Sequence, residues 1–326
     1  MSLVAIWLML IYQLSITWET NVQYSHGFLV PILCFYLILK SQDNPLDGTV
    51  KKSFLQGKTW YLFGIPLLLA LPLIWLIRGA NTDWRLLNLV LFGITFILTL
   101  IPVFDQGGWN KSKILIFPIL FFLVAVPWPL ATDLQLTQWF QEKVSSIIVD
   151  VLLLLEHEAS LQGTVIDVGV FGQIGIDQAC SGINGLQASI VITLFFGAYY
   201  RYGWINRFVL ALTGAIIAVG FNLLRAFSLS YIKVKGKGHL LDQHLFSIGE
   251  WQFPSLHDLA GWIETGLIFL TIFLLARSAR GGLYLRMLGN EANNWGNLKS
   301  TPPITFSLLT LTSVTASLAY SNYHFN

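Results

Sequence analysis

Long apolar runs separated by short polar loops recur along this chain from Leu3 to Ala319, and that pattern decides what it can fold into. A bilayer span needs roughly 20 predominantly apolar residues, fewer where the lipid thins or flanking residues snorkel. Candidate spans fall at 3–18, 25–40, 60–77, 86–104, 114–131, 179–199, 208–232, 257–276 and 303–320. Composition agrees, since 55% of residues are hydrophobic and 11% charged, whereas about a quarter are charged in a soluble globular chain. The expected fold is an all-α polytopic membrane protein with about 8–9 transmembrane helices.

Segment 132–178 interrupts the pattern. It follows Pro127-Trp128-Pro129, passes through an amphipathic stretch from Trp139 to Leu155, and contains the alternating run Thr164-Val165-Ile166-Asp167-Val168. A helical period followed by a period of two predicts a short interfacial helix and a small extended hairpin, lying on the membrane before the Cys180-bearing helix. Residues 1–280 read as one transmembrane domain carrying the chemistry, and 281–326 as a cytoplasmic loop plus an additional transmembrane helix.

The net charge of +2 is small and scattered, which leaves no electrostatic footprint for nucleic acid. The acidic surface within reach is the lipid bilayer itself. Cys34 lies inside the apolar run Phe28–Leu39 and reads as a small core hydrophobe, not as a disulfide partner of Cys180. Leu3–Ile16 resembles a signal-peptide core but has no preceding Lys or Arg and no small-residue cleavage site after it, so it is read as a retained first span. With the N-terminus inside, the cytoplasmic loops hold Lys40, Lys51, Lys52, Lys58, Lys111, Lys113, Arg201, Arg207, Arg277, Arg280, Arg286 and Lys299, 12 of the 19 basic residues, as the positive-inside rule asks. Lys233, Lys235 and Lys237 run against that bias in the outer loop 233–256.

Three residues capable of chemistry stand near the ends of consecutive spans. Cys180, Arg225 and His257 lie 21, 18 and 20 residues from the expected cytoplasmic cations Arg201, Arg207 and Arg277. At helical rise this puts all three roughly 27–32 Å from those anchors, in one layer at the outer boundary of the bilayer. A thiol attacks only as thiolate and needs a cation or base beside it. Imidazole exchanges protons near neutrality, and a guanidinium keeps its charge and can hold an oxyanion. Cys180 is therefore assigned as nucleophile, His257 as general acid and base, and Arg225 as electrostatic stabiliser.

Each has a plainer reading. Cys180 alone would be structural, Arg225 would snorkel to the interface, and His257 would be an interfacial residue. Against these, Ser181, Gly182 and Gly185 allow close backbone approach and offer amide groups at a helix N-terminus. An Arg within Ala215–Tyr231 is costly without a partner or wet cavity; Asn222, three residues earlier, shares its face and is suited to orient it. Gly261 follows His257 by one turn and leaves room for another helix or a peptide backbone, and Glu264 lies deeper on that face. His239, His244, His257 and Cys180 match no zinc spacing, so no metal and no cofactor are expected.

Ala179-Cys180-Ser181-Gly182-Ile183-Asn184, Asn222-Leu223-Leu224-Arg225 and His257-Asp258-Leu259-Ala260-Gly261 resemble, in order and spacing, the Cys-Ser-Gly, Asn-x-x-Arg and His-x-x-x-Gly blocks of the exosortase/archaeosortase family. Tyr24-Ser25-His26-Gly27 is similar to that family's early signature. The resemblance covers roughly residues 20–280, and its flavour is that of the cyanobacterial branch. It implies a multi-pass plasma-membrane enzyme with its site on the non-cytoplasmic side. Its partners would be exported proteins ending in a sorting signal of the PEP-CTERM kind: a short motif such as Pro-Glu-Pro, a transmembrane helix and a basic tail. The implied reaction is cleavage at that motif through a thioester and transfer of the new C-terminus to an acceptor. Cys180, Arg225 and His257 carry over as the catalytic residues. Gln178 and Ala179 separate Asp177 from Cys180, and Asn184 stands where the family often has Arg, two departures that bear on substrate detail. The residues alone leave two other readings open: a transporter or polysaccharide-export component with Arg225 as its substrate-binding charge, and an acyltransferase with a lipid donor.

Overall fold

The computed structural model describes residues 3–42, 58–81, 84–175, 181–242, 247–248, 251–252 and 255–280. Cys180, His244 and the expected last span at 303–320 lie outside the described residues. The chain divides into two compact units, and the division falls after Asp133.

In the first unit α1 (Leu3–Thr20) ends in a 3₁₀ segment, Val22–Phe28, before α2 (Val30–Gln42). α3 (Ile65–Ala80) follows a π-helical turn at Trp60–Gly64, and α4 (Leu86–Leu120) runs into a second 3₁₀ segment, Phe121–Ala125. The polar stretch around Asp105–Lys113, expected between two spans, divides α4 into two helical stretches, with an apolar span at Leu86–Gln106 and a second stretch from Lys111. Gly108, at φ 63°, supplies a backbone conformation that L-residues avoid, so the helix kinks there and resumes. Pro127 and Pro129 lack the N–H donors a helix needs, and the helical path breaks between Ala125 and Leu130.

The Tyr24-Ser25-His26-Gly27 block is buried in this unit and packs it together. A Cβ on Gly27 would lie 2.4 Å from the Trp18 indole, whose Nε1 donates to the Ala125 carbonyl at 2.7 Å. The Tyr24 hydroxyl accepts from the Trp128 amide at 3.1 Å, and His26 Nε2 donates to the Val124 carbonyl at 3.1 Å. Gln23 donates to Asp133 Oδ1 at 2.6 Å, and Asp133 pairs with Arg85 at 2.8 Å. Buried polar groups must be satisfied within the protein when lipid surrounds it, and this block does so for the segment that breaks the helix.

The second unit begins within α5 (Leu130–Leu154), a helix longer than the short one expected. The predicted extended region is there, as a three-stranded antiparallel sheet: β1 (Ser160–Gln162), β2 (Val165–Asp167) and β3 (Gln173–Gly175), with Leu161 opposite Ile166 and Ile166 opposite Ile174. Val144, Ile148, Val149 and Leu152 of α5 bury Ile166 and Val168 against Ala226 and Val234. α6 (Ile183–Tyr199) and α7 (Trp204–Ile232) follow; α7 continues through a π-helical turn, Lys233–Lys237, to the single turn α8 (His239–Asp242). A two-stranded ladder of β4 (Ser247–Ile248) and β5 (Trp251–Gln252) precedes α9 (Leu256–Arg280).

α6, α7 and α9 each pack against the other two. Along the antiparallel α6–α7 seam a small residue meets a larger one at successive levels. A Cβ on Gly182 would lie 2.6 Å from Asn222, one on Gly214 2.5 Å from Thr193, and one on Gly197 2.9 Å from Arg207. Lipid tails are as apolar as leucine, so helix pairs in a membrane gain from close packing more than from apolar burial, and these glycines permit it. Six described helices are long and apolar enough to cross a membrane, seven if Lys111–Ala125 with Leu130–Leu154 forms one broken span; α6 is a shorter apolar helix. The chain is an all-α multi-pass membrane protein apart from its small sheets.

Candidate active site

The start of α6 meets α7, which carries Arg225, and α9, which carries His257, at one end of this three-helix cluster. Cys180 itself is outside the described residues, but the turn that follows it is defined. Ser181 is buried, and its Oγ accepts from the Ile183 amide at 3.3 Å. Gly182 caps α6 with φ 83° and ψ −1°, a left-handed conformation that costs any residue with a Cβ. The Leu186 amide donates to its carbonyl at 2.9 Å. Gly182 is thus required twice, by its dihedrals and by Asn222 packed against its Cα. Asn222, 2% exposed, joins the first turn of α6 to α7.

Arg225, one turn further along α7, reaches α9. Its Nη1 lies 3.2 Å from Glu264 Oε2, with the two side chains 11% and 7% exposed. A Cβ on Gly261 would lie 3.3 Å from Nη2 and 3.4 Å from Cζ of Arg225, so the guanidinium lies close against the α9 backbone where the side chain is missing. On the other side, a Cβ on Gly185 of α6 would lie 3.3 Å from Glu264 Oε1. The pair is therefore enclosed between the first turns of α6, the end of α7 and the second turn of α9.

His257 is the second residue of α9 and is half-buried. Its helix start is fixed by a reciprocal cap: Asp258 Oδ2 accepts from the Ser255 amide at 3.2 Å and from Ser255 Oγ at 2.8 Å, and the Asp258 amide donates to Ser255 Oγ at 3.2 Å. This is the reciprocal logic of the capping box. It was legible in Ser255-Leu256-His257-Asp258, and the sequence reading passed over it. That reading also left Glu264 without a role, because a carboxylate seven residues after His257 names no partner until α7 is laid beside α9.

The structure thus brings together Ser181, Gly182, Asn222, Arg225, Gly261 and the turn of α9 that follows His257. Chemically, the Arg225–Glu264 pair is neutral as a unit. A guanidinium carries five donors in a fixed fork, so the pair is suited to directed hydrogen bonding more than to supplying a free positive charge.

The sequence model of the Transmembrane exosortase family matches residues 18–274, more than three quarters of the chain. No curated protein and no solved structure matches it.

Proposed function

This chain belongs to the transmembrane exosortase family, and from that premise we propose that it is a cysteine-dependent membrane transpeptidase or protease of protein sorting, in which Cys180 is the nucleophile, His257 the general acid and base, and Arg225 the oxyanion donor. The observation that carries this reading is the contact of Arg225 with α9 one turn past His257, beside the α6 turn that follows Cys180. The turn that follows Cys180, the Arg225 guanidinium and the α9 turn after His257 lie together, which supports this reading. Glu264 already compensates the charge of Arg225, which favours a role in directed hydrogen bonding over capture of a transported anion.

In the proposed reaction the Cys180 thiol passes its proton to His257, and the sulfur attacks the scissile carbonyl. Arg225 N–H groups hold the resulting oxyanion. The C–N bond breaks as His257 returns the proton to the leaving amine, and a thioester to Cys180 remains. Water or an acceptor amine, deprotonated by His257, then attacks the thioester, releases the processed chain and restores the thiol. The substrates are exported proteins carrying a short motif, a transmembrane helix and a basic tail. The site faces the non-cytoplasmic side of the plasma membrane, consistent with the distribution of Lys and Arg between the loops.

Co-expression with a reporter bearing such a tail tests this. Cys180→Ala, Arg225→Ala and His257→Ala should each leave the reporter full-length while the enzyme still accumulates. Normal processing by Cys180→Ala would end the reading.

A further inference from the structure

Glu264 is assigned no role by the family resemblance or by the triad, yet it is the residue through which the three helices of the site are coupled. Its Oε2 holds Nη1 of Arg225 on α7, its Oε1 faces Gly185 on the first turn of α6, and it stands on α9 two turns below His257. We infer that Glu264 is a positioning residue: it fixes the guanidinium of Arg225 relative to the α6 turn after Cys180 and to His257. The inference rests on the proposed thiol chemistry of this site.

The geometry supports it at each contact. His257, Gly261 and Glu264 are spaced by four and three residues, so they share one face of α9, rising about 6 Å and then about 4.5 Å along the helix. That face presents the acid–base group, then a gap into which the guanidinium fits, then the carboxylate that holds it. With Nη1 paired to Glu264, Nη2 lies beside Gly261, one turn past His257. Gly185 is part of the same arrangement. A Cβ there would press on Oε1 at 3.3 Å, shifting the carboxylate and with it the arginine.

The test uses the full-length enzyme in nanodiscs and a fluorescent fusion ending in a Pro-Glu-Pro motif, a transmembrane helix and a basic tail. Glu264→Gln keeps the volume but loses the charge that anchors Nη1. It should lower kcat per folded enzyme by about 100-fold, the scale of a small misplacement of a catalytic group, with KM within about threefold and a lower thermal stability, since buried Arg225 loses its ion-pair partner. Gly185→Ala, whose added methyl would meet Glu264 and Ile268 but not Arg225, should lower kcat in the same way. In a Glu264→Asp background, where the shorter side chain makes room, the added methyl should cost little. A folded Glu264→Gln with wild-type kcat, or a defect confined to KM, overturns the inference. Should Glu264→Gln fail to fold, the Gly185→Ala and Glu264→Asp pair decides: strictly additive kcat losses overturn it, and relief in the double variant upholds it. Cys180→Ala assayed alongside separates the layers. If it is inactive while Glu264→Gln is unimpaired, only the role of Glu264 falls; if it is fully active, the thiol reading falls and this role with it.

Discussion

Gly182→Ala isolates the local geometry on which the site depends. Two costs add at this position. The native φ of 83° places an L-residue in the left-handed region, at about 1–2 kcal/mol. The new Cβ would also meet Asn222 at 2.6 Å from Nδ2 and 2.7 Å from Cγ, an overpacking that costs about 1–3 kcal/mol in a close-packed interior. The expected destabilisation is about 2–5 kcal/mol. It can be measured as a shift in the unfolding midpoint in mixed micelles of rising SDS fraction, followed by tryptophan fluorescence. The two parts are separable, because Asn222→Ala removes the amide atoms at 2.6 and 2.7 Å and leaves only the Asn222 Cβ at 3.1 Å. In that background Gly182→Ala should cost only its backbone share, a coupling that a double-mutant cycle reads directly. Equal cost in both backgrounds would refute the packing argument, and no cost in either would refute the dihedral one.

Gly27→Ala should lower thermal stability by about 1–3 kcal/mol, because Trp18 is held by its bond to Ala125 and cannot retreat from a Cβ at 2.4 Å; a wild-type melting temperature would show that the indole is free to move. Asp133→Ala leaves Arg85 without its ion-pair partner in a buried setting and should cost about 3–5 kcal/mol, seen as reduced accumulation and an earlier thermal transition. Gln187→Met should act in the opposite direction, raising stability by about 1 kcal/mol, since Gln187 is 6% exposed and its Oε1 has no hydrogen-bond partner among the described residues; a lower melting temperature would mean that the amide is satisfied. Arg225→Lys should process substrate nearly as poorly as Arg225→Ala, because an ammonium can pair with Glu264 but lacks the planar fork; near-normal processing by the lysine variant would mean that charge alone suffices.

The spans were legible because lipid leaves the backbone no partner but itself, so each crossing must be a long apolar helix. α6, Ile183–Tyr199, is an apolar helix shorter than the six described helices that meet that length. Pro127 and Pro129 announced the break before α5. Around Asp105–Lys113 the polar residues marked the break between two helices, which the positive φ of Gly108 makes as a kink and not as a long loop. The Tyr24-Ser25-His26-Gly27 block was legible as a motif but not in its role. Only the placement of Trp18 and of the 124–133 segment shows that its residues satisfy buried polar groups and open space for an indole. Arg225 stood out in the sequence by the cost of an arginine within an apolar helix. The partner of Arg225 did not, because it depends on the rotation of α9 about its axis.

That rotation is itself set by small residues. Gly261 lets α9 approach Arg225, Gly185 lets α6 approach Glu264, and Gly182 lets α7 bring Asn222 over the turn after Cys180. Each is a place where one helix carries a polar side chain and its neighbour carries none. A larger residue at any of the three would separate the helices by about the width of a methyl group, and in a low-dielectric interior an arginine so displaced from its carboxylate is heavily penalised. Packing and electrostatics therefore constrain the same positions. The glycines allow the buried ion pair to form, and the ion pair in turn fixes the register of the helices that the glycines bring together.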